Sequence, residues 1–576
     1  MPKKSEHNTA KYAPPAIFFL VSLVFTLPFL LKWGYIGVGD WELFTVMAAV
    51  PERTVLHFHQ FPFWNPYLGG GNILFAHPEV GILSPFFLLI LIFGAVGGLK
   101  LQVLIAYFVG FYGSYLMARR LGISNIGSYL VSFVYFGSSY FALHFSIGHI
   151  PFTHFCFLPW FVYFILKTGD NWKYIFAAAL SIALIIIGNG AAVPFLYTSF
   201  FSGLFVILYA IDTKNIRLIK SYIIAIILGV LLAAVKFIPM YHYLSQNQWA
   251  GMAQDTTPLK FILPAFFSFD QAIFRTMKTA EHWGWHEYSA YISPLIIILA
   301  VIGLIYAFRK NRIWLILGAF FFIFGLGHFS DFSLWGLMHH FPGFSSIRSP
   351  ARAFQFVVLA AAVMAAIGLD NILPKLKITE SAKQYSSIGL IVLISGVNFF
   401  ISLPAMQSIA NKKPKKAVFS EEFRHVIGSK FEIYDLFQKN RGSLMAPWLS
   451  AYKDSRGIVT ENNDVFMEYV IQGQADILRH RYTPNRVDYE LTPKGSGAMV
   501  FGIGYDEGWF AADGRRLYET NGLVTADFNS GDKHITLQYR TPYFYLGLIV
   551  SLLAIAGCLS AYINKNFGKR FKAILE

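Results

Sequence analysis

The chain has 576 residues, 55% of them hydrophobic and only 14% charged, with a mean hydropathy of +0.49. A soluble chain carries about 25% charged residues, so a polytopic α-helical membrane protein is predicted, and disorder, collagen, coiled coils and small disulfide scaffolds are excluded. The net charge of +15 needs no nucleic acid, because positive charge collects in cytoplasmic loops. The two cysteines, Cys156 and Cys558, fall in separate apolar stretches, which gives neither a disulfide framework nor a cysteine-based metal site.

In chain order, the first 13 residues are polar and lead into an apolar run without a small-residue cleavage site. That run is expected to be a retained anchor. Twelve stretches approach the roughly 20 apolar residues that a span needs: 14–31, 101–118, 123–146, 152–167, 173–189, 191–210, 220–238, 289–307, 313–328, 353–370, 386–404 and 543–562. Lys3, Lys4 and Lys11 precede the first. Arg119 and Arg120, Lys167 and Lys173, Lys214 to Lys220, Arg309 to Arg312, Lys375 to Lys383 and Lys565 to Lys572 follow alternate spans. All fall on one side if the further apolar stretch 80–98 dips into the membrane or lies along it without crossing. Both termini are then expected in the cytoplasm of a multi-pass plasma-membrane protein.

The opposite side carries a long first loop, about 33–99, a short loop near 147–151, a long loop at about 239–288, and residues 405–542. This last region alternates apolar and polar residues in RVDYELT (486–492), AMVFG (498–502), LVTADF (523–528) and HITLQYR (534–540), with turn signals between. A small antiparallel β-sandwich is expected there, with 418–440 more helical. The predicted domains are therefore a transmembrane domain over 1–404, a mainly β domain outside the membrane over 405–542, and a last span with a basic tail over 543–576. KKPKK (412–416) reads as a solvated linker.

Hardly an Asp or Glu falls in the middle of a span, which argues against an ion-coupled transporter. The polar residues gather in the outer loops instead. Asp40 and Glu42 follow the first span, where a carboxylate can deprotonate a hydroxyl acceptor or simply cap a helix. His77 and Glu79 lie where the first loop re-enters the membrane, and His149 follows Gly148 in the second. His144, His149 and His154 have a spacing of five, which fits no standard ligand pair. Glu287 stands among Trp283, Trp285 and Tyr288, an aromatic setting that suits a sugar or an interfacial belt. Arg348 and Arg352 break the positive-inside trend, and an arginine fork matches phosphate oxygens.

Four stretches resemble the bacterial YfhO-type membrane proteins, within the wider GT-C glycosyltransferase superfamily. They are the acidic residue after the first span with FWNPYLGGGNILFAHPEVGILSPF, GHIPFTHFCFLPW (148–160), FPGFSSIRSPARAFQFVVLAAAVMAAIGLD (341–370), and the closing stretch 505–555 with its Gly-Trp and Asp-Gly elements. The resemblance implies a GT-C-like fold of about twelve transmembrane helices. It implies an inverting transfer of sugar from a polyprenyl-phosphate carrier to a cell-envelope glycan or polymer outside the membrane. Asp40, or Glu42 beside it, then maps to the essential base, Arg348 and Arg352 to the donor phosphate, and His77, Glu79, His149, Trp285 and Glu287 to substrate contacts. No cofactor is required, although some relatives use a divalent metal. The partners implied are the lipid-linked sugar, the glycan acceptor, the bilayer, and a separate polyprenyl-phosphate glycosyltransferase and flippase. The rival readings are a catalytically inactive scaffold of this fold and a lipid or polysaccharide translocation protein.

Overall fold

The computed structural model describes residues 4–37, 39–247, 253–271, 283–341, 343–415, 417–428, 432–444, 465 and 467–564. Of the sequence expectations, those on Lys3, Lys416 and the tail beyond Asn564 lie outside these residues. The first half runs α1 (Lys4–Leu30), α2 (Trp41–Leu56), a two-residue hairpin of β1 (Trp64–Asn65) and β2 (Asn72–Ile73), and α3 (Pro85–Arg120). Then come α4 (Asn125–Tyr135), α5 (Ser139–Ile147), α6 (Leu158–Lys167), α7 (Tyr174–Ile187), α8 (Val193–Thr213), α9 (Arg217–Leu232), α10 (Ala234–Gln246) and α11 (Leu259–Phe267). The bundle closes with α12 (Pro294–Gly325), α13 (Leu334–Met338), α14 (Phe354–Ile372) and α15 (Glu380–Gln407).

Helices rich in apolar residues all round satisfy every backbone group internally and so can sit in lipid. Among the described residues, nine stretches are long and apolar enough to span a membrane, and α9 with α10 makes a bent tenth. Beyond these, α7 is a shorter apolar helix, and α12 is broken within its length. Ala307 leaves helical geometry, and the Asn311 side chain donates to the carbonyl of Gly303, eight residues earlier, at 2.8 Å. The expected span 220–238 is not straight: its halves meet at 86° beside Ala233.

α3 is also two arms. Gly94 has φ +74°, and a Cβ on Gly98 would lie 2.6 Å from the Cα of Ile90, so the arms fold together. The Glu52 carboxylate accepts the Ala95 N–H at 2.8 Å and caps the second arm. The first arm, Pro85–Phe93, is about 13 Å long against roughly 30 Å of hydrocarbon. It makes no crossing by itself. At the far end of the bundle the basic loops gather: Arg120 pairs with Asp170 at 2.7 Å, Arg312 pairs with Asp212, and Lys173 donates to the Tyr562 carbonyl at 3.0 Å.

After α15 come β3 (Arg424–Val426), α16 (Ile433–Gln438) and β4 (Arg441–Ser443). The helical reading of 418–440 is thus corrected: among its described residues six are helical, and Arg424–Val426 pairs parallel with β4. The sandwich follows: β5 (Glu468–Gln472), β6 (Ala475–Thr483), β7 (Arg486–Pro493), β8 (Gly497–Gly504), β9 (Trp509–Ala511), β10 (Leu517–Thr520), β11 (Leu523–Phe528) and β12 (His534–Tyr539), before the last helix α17 (Phe544–Ile563). Its two antiparallel sheets have the orders β10-β11-β8-β5 and β6-β7-β12-β9. The four alternating runs are all strands. Their inward residues, among them Val487, Tyr489, Phe501, Val524, Ile535 and Leu537, form one core between the sheets, as the two-residue period requires.

That core also takes Trp64, Ile73 and Ala76 from the first loop. Asn485 accepts the N–H groups of Phe63 and Trp64 at 3.2 and 3.1 Å. Arg53 of α2 stacks 3.6 Å over the Phe437 ring and donates to the Phe437 carbonyl at 2.8 Å. The sandwich and the head of the bundle are therefore one packed unit.

Candidate functional site

The head of α2 meets the end of α5. Gly148, at φ +101°, ends α5, and a Cβ there would lie 2.3 Å from the Trp41 nitrogen, so only glycine permits the contact. The Asp40 N–H donates to the Ile147 carbonyl at 2.9 Å, and Trp41 Nε1 donates to the Phe145 carbonyl at 2.9 Å. This docking places the Asp40 carboxylate 3.3 Å from His149 Nε2. His149 Nδ1 lies 2.8 Å from Nδ1 of the buried His144. Burial pushes the Asp40 pKa up, but His149 first, then His286 and Arg348, outweigh it and hold the carboxyl below its usual range. The side chain keeps 35% of its surface exposed, so an ionised carboxylate faces the loop end of the bundle.

A buried ion pair stands beside it. Glu287 sits on a single helical turn, Trp285–Glu287, and Arg352 on another, Pro350–Ala353. Arg352 Nε and Nη2 donate to the two Glu287 oxygens at 2.7 and 2.5 Å, a bidentate fork. The side chains are 2% and 7% exposed. Burial alone would raise the Glu287 pKa, but Arg352 holds it well below the carboxylate range. The expectation that Arg352 grips a phosphate is therefore corrected: its fork is filled by Glu287. Arg348, half-buried, is the cation that faces the acids; Glu287, Glu79 and Asp40 all act on its charge. Asp255 holds its loop, accepting the Ser349 N–H and Trp283 Nε1–H, each at 2.7 Å, while the Arg348 guanidinium stands 5.1 Å from the Trp283 ring.

Glu79 completes the cluster. Burial, then the nearby Asp40 charge, push its pKa up to about 7, against the pull of His149, Arg348 and Arg352. It also lines a largely apolar cavity between α2 and the folded arms of α3, walled by Phe44, Met47, Val80, Ile82, Phe87 and Leu99.

Asp40, Glu79, His149, Glu287 and Arg348 thus converge, whereas three other expected residues serve elsewhere. Glu42 pairs with Lys412 and accepts the Tyr434 N–H at 3.2 Å, tying α2 to the linker before the sandwich. Trp285 is 1% exposed, packed on Phe261 and Tyr288 with Nε1 on Gln271, so no ring face is open to a sugar. His77 is buried and its Nδ1 accepts the Glu79 N–H at 3.2 Å. Sequence reasoning missed His286 and Asp255, and gave His144 no part. His286 lay inside a stretch chosen for its aromatic residues, and no spacing connects Asp255 to Ser349.

His149, His286 and Glu287 each bring one ligand atom within 4.8 Å of the others, the spacing of a metal site. Both Glu287 oxygens are held by Arg352, and His149 Nε2 by Asp40. A metal there would have to break a buried ion pair, so the donor set as folded does not fit one.

Solved structures similar to this chain include the arabinofuranosyltransferase AftD from Mycobacteria, at 14% identity and TM-score 0.44 over 69% of this chain and 27% of that one. Others are ArnT from Cupriavidus metallidurans bound to undecaprenyl phosphate (13%, TM-score 0.45, 74% of this chain and 85% of that one) and the apo oligosaccharyltransferase of Archaeoglobus fulgidus (12%, TM-score 0.46, 78% and 66%). The chain spans about a quarter of the length of AftD. These likenesses assign no residue a role. No curated protein matches the chain. The family model described as bacterial membrane protein YfhO matches residues 451–551, a stretch that holds the strands of the sandwich and the head of α17.

Proposed function

We propose that the chain is a membrane glycosyltransferase that moves a sugar from a polyprenyl-phosphate carrier to a hydroxyl of a cell-envelope glycan, with inversion. The observation that carries this reading is the meeting of an ionised, accessible carboxylate and an arginine, Asp40 and Arg348, around Glu79, which itself lines an apolar cavity. Asp40 takes the proton of the acceptor hydroxyl as its oxygen attacks the anomeric carbon. The bond from that carbon to the phosphate oxygen breaks, and the carrier phosphate leaves as an anion. Arg348 stabilises that developing charge, the kind of fixed electrostatic help that is often the largest catalytic contribution. His149 engages Oδ2 and leaves Oδ1 as the proton acceptor. The Glu287–Arg352 pair is the floor on which Arg348 and His286 rest. Glu79, which carries a proton below about pH 7, positions the acceptor or the sugar through its hydroxyl groups.

In this reading the sandwich and the site face outward across the plasma membrane and both termini lie in the cytoplasm. The donor is then loaded by a separate polyprenyl-phosphate glycosyltransferase and brought across by a flippase. The test compares surface glycans of cells carrying the wild-type chain with cells carrying Asp40→Asn at equal membrane levels. Loss of one sugar substituent with build-up of its lipid-linked donor is expected, a fall on the order of 10²-fold or more for a removed base. Arg348→Ala is expected to lose the same substituent. Unchanged glycan in both would leave the scaffold reading instead.

A further inference from the structure

Glu79 stands on a loop without regular structure between β2 and α3, so its place in the cluster needs a cause. The backbone from Phe75 to Val80 turns around one cation. Lys236, on α10 just past the bend at Ala233, is 2% exposed. Its Nζ donates to the carbonyl of Phe75, to that of His77 at 2.7 Å and to that of Val80 at 2.8 Å. These bonds use all three ammonium N–H groups. A buried cation is costly unless hydrogen-bonded, and here the acceptors are backbone, so the cation specifies the path of the loop. The His77 ring accepts the Glu79 N–H at 3.2 Å, and a Cβ on Gly81 would lie 2.9 Å from the Asn189 nitrogen. Glu79 is thus held from both flanks. The helix that carries Lys236 is itself fixed: the Val235 N–H donates to Ser551 of α17 at 2.9 Å, and His242 pairs with Glu507 of the sandwich.

We propose that Lys236 is a positioning residue of the site: by binding the carbonyls of Phe75, His77 and Val80, its ammonium holds the Glu79 carboxyl among Asp40, His149, Arg348 and Arg352. The use of that carboxyl in transfer rests on the transferase reading; its placement does not.

The test is carbodiimide labelling of Glu79 with glycine ethyl ester in the purified full chain in nanodiscs from pH 5 to 9, read by peptide mass spectrometry. The carboxyl oxygen adds to the carbodiimide carbon while its proton passes to the carbodiimide nitrogen, so the wild-type midpoint is expected near the raised value that burial and Asp40 impose, about 7. In Lys236→Met the loop loses its centre and Glu79 turns to water. The midpoint is expected to fall by about one pH unit or more toward the ordinary carboxylate range. Lys236→Gln, which keeps amide donors, serves if Lys236→Met does not fold. A wild-type midpoint in a folded variant overturns the proposal, and so does loss of the fold in both variants, which would make Lys236 structural only. In cells, Lys236→Met is expected to lower transfer to the level of Glu79→Gln, and the double variant no further. Should the glycan stay unchanged in every variant while the labelling shift persists, the transferase reading fails and the positioning stands.

Discussion

Asp40 and Glu42 stand two residues apart at the head of one helix, and their partners give them different tasks. Asp40 faces His149 and Arg348, whereas Glu42 is buried against Lys412. Glu42→Gln is therefore expected to leave transfer within about twofold while costing roughly 1–3 kcal/mol, less than a fully buried pair because Lys412 is partly exposed; a thermal melt beside the glycan assay checks it. Glu287→Gln strands the Arg352 charge in the interior and is expected to cost about 3–5 kcal/mol, part of which returns when Arg352→Met is added. Glu79 sets a pH dependence. Its raised pKa means that the folded chain keeps a proton between 4.5 and about 7 that the unfolded chain has lost. Stability therefore falls as pH rises through that window and levels off above it. Melting temperatures at pH 5 and pH 8 are expected to lie closer together in Glu79→Gln than in wild type. At this scale the sequence was readable where a residue broke a trend. Arg348 and Arg352 are the only charged residues of the stretch 341–354. It was unreadable where a partner lies far along the chain, since 65 positions separate Glu287 from Arg352.

The helices were legible because apolar length is a property of a local window; their breaks were legible only in part. Gly94 sits in a stretch whose hydropathy does not change across the break, whereas the basic run Arg309 to Arg312 marks the break beside Ala307 and separates 289–307 from 313–328. The turn at Gly94 is held by Glu52, 43 positions away, and Asn311 closes the turn at Ala307 from within a basic run. The bend at Ala233 carries no proline; Pro239 comes six residues later. The close crossing of the α3 arms gives a sharp test. Gly98→Val places a branched side chain where even a Cβ would lie 2.6 Å from Ile90, and overpacking typically costs about 1–3 kcal/mol or more. A lower melting temperature is expected, with release of the Pro85–Phe93 arm seen as faster amide exchange at Ala95. The strands were legible for the opposite reason: alternation survives in each run, and the turns between them carry their own glycines.

At the scale of the molecule, two ends are distinguished by charge and by the sandwich. A single cysteine at Ser530, on a turn of the sandwich, is expected to react with an impermeant maleimide in intact cells, in a background where Cys558 is replaced. One at Asn215, beside the Arg312–Asp212 end, is expected to react only after permeabilisation. Labelling at Asn215 from outside would invert the topology. The union of first loop and sandwich also has a meaning in time. Phe63 and its neighbour Trp64 leave the ribosome 422 positions before Asn485, which accepts their N–H groups, and at about 5–20 residues per second that is a delay of roughly twenty seconds to more than a minute. Through that interval the indole of Trp64 has no core to enter and the ring of Phe437 has not yet come to cover Arg53. Biogenesis must therefore shelter an aromatic hairpin at the membrane surface until nearly the whole chain has been made, which places the period of greatest risk of aggregation or proteolysis early in synthesis and the closing event at its end.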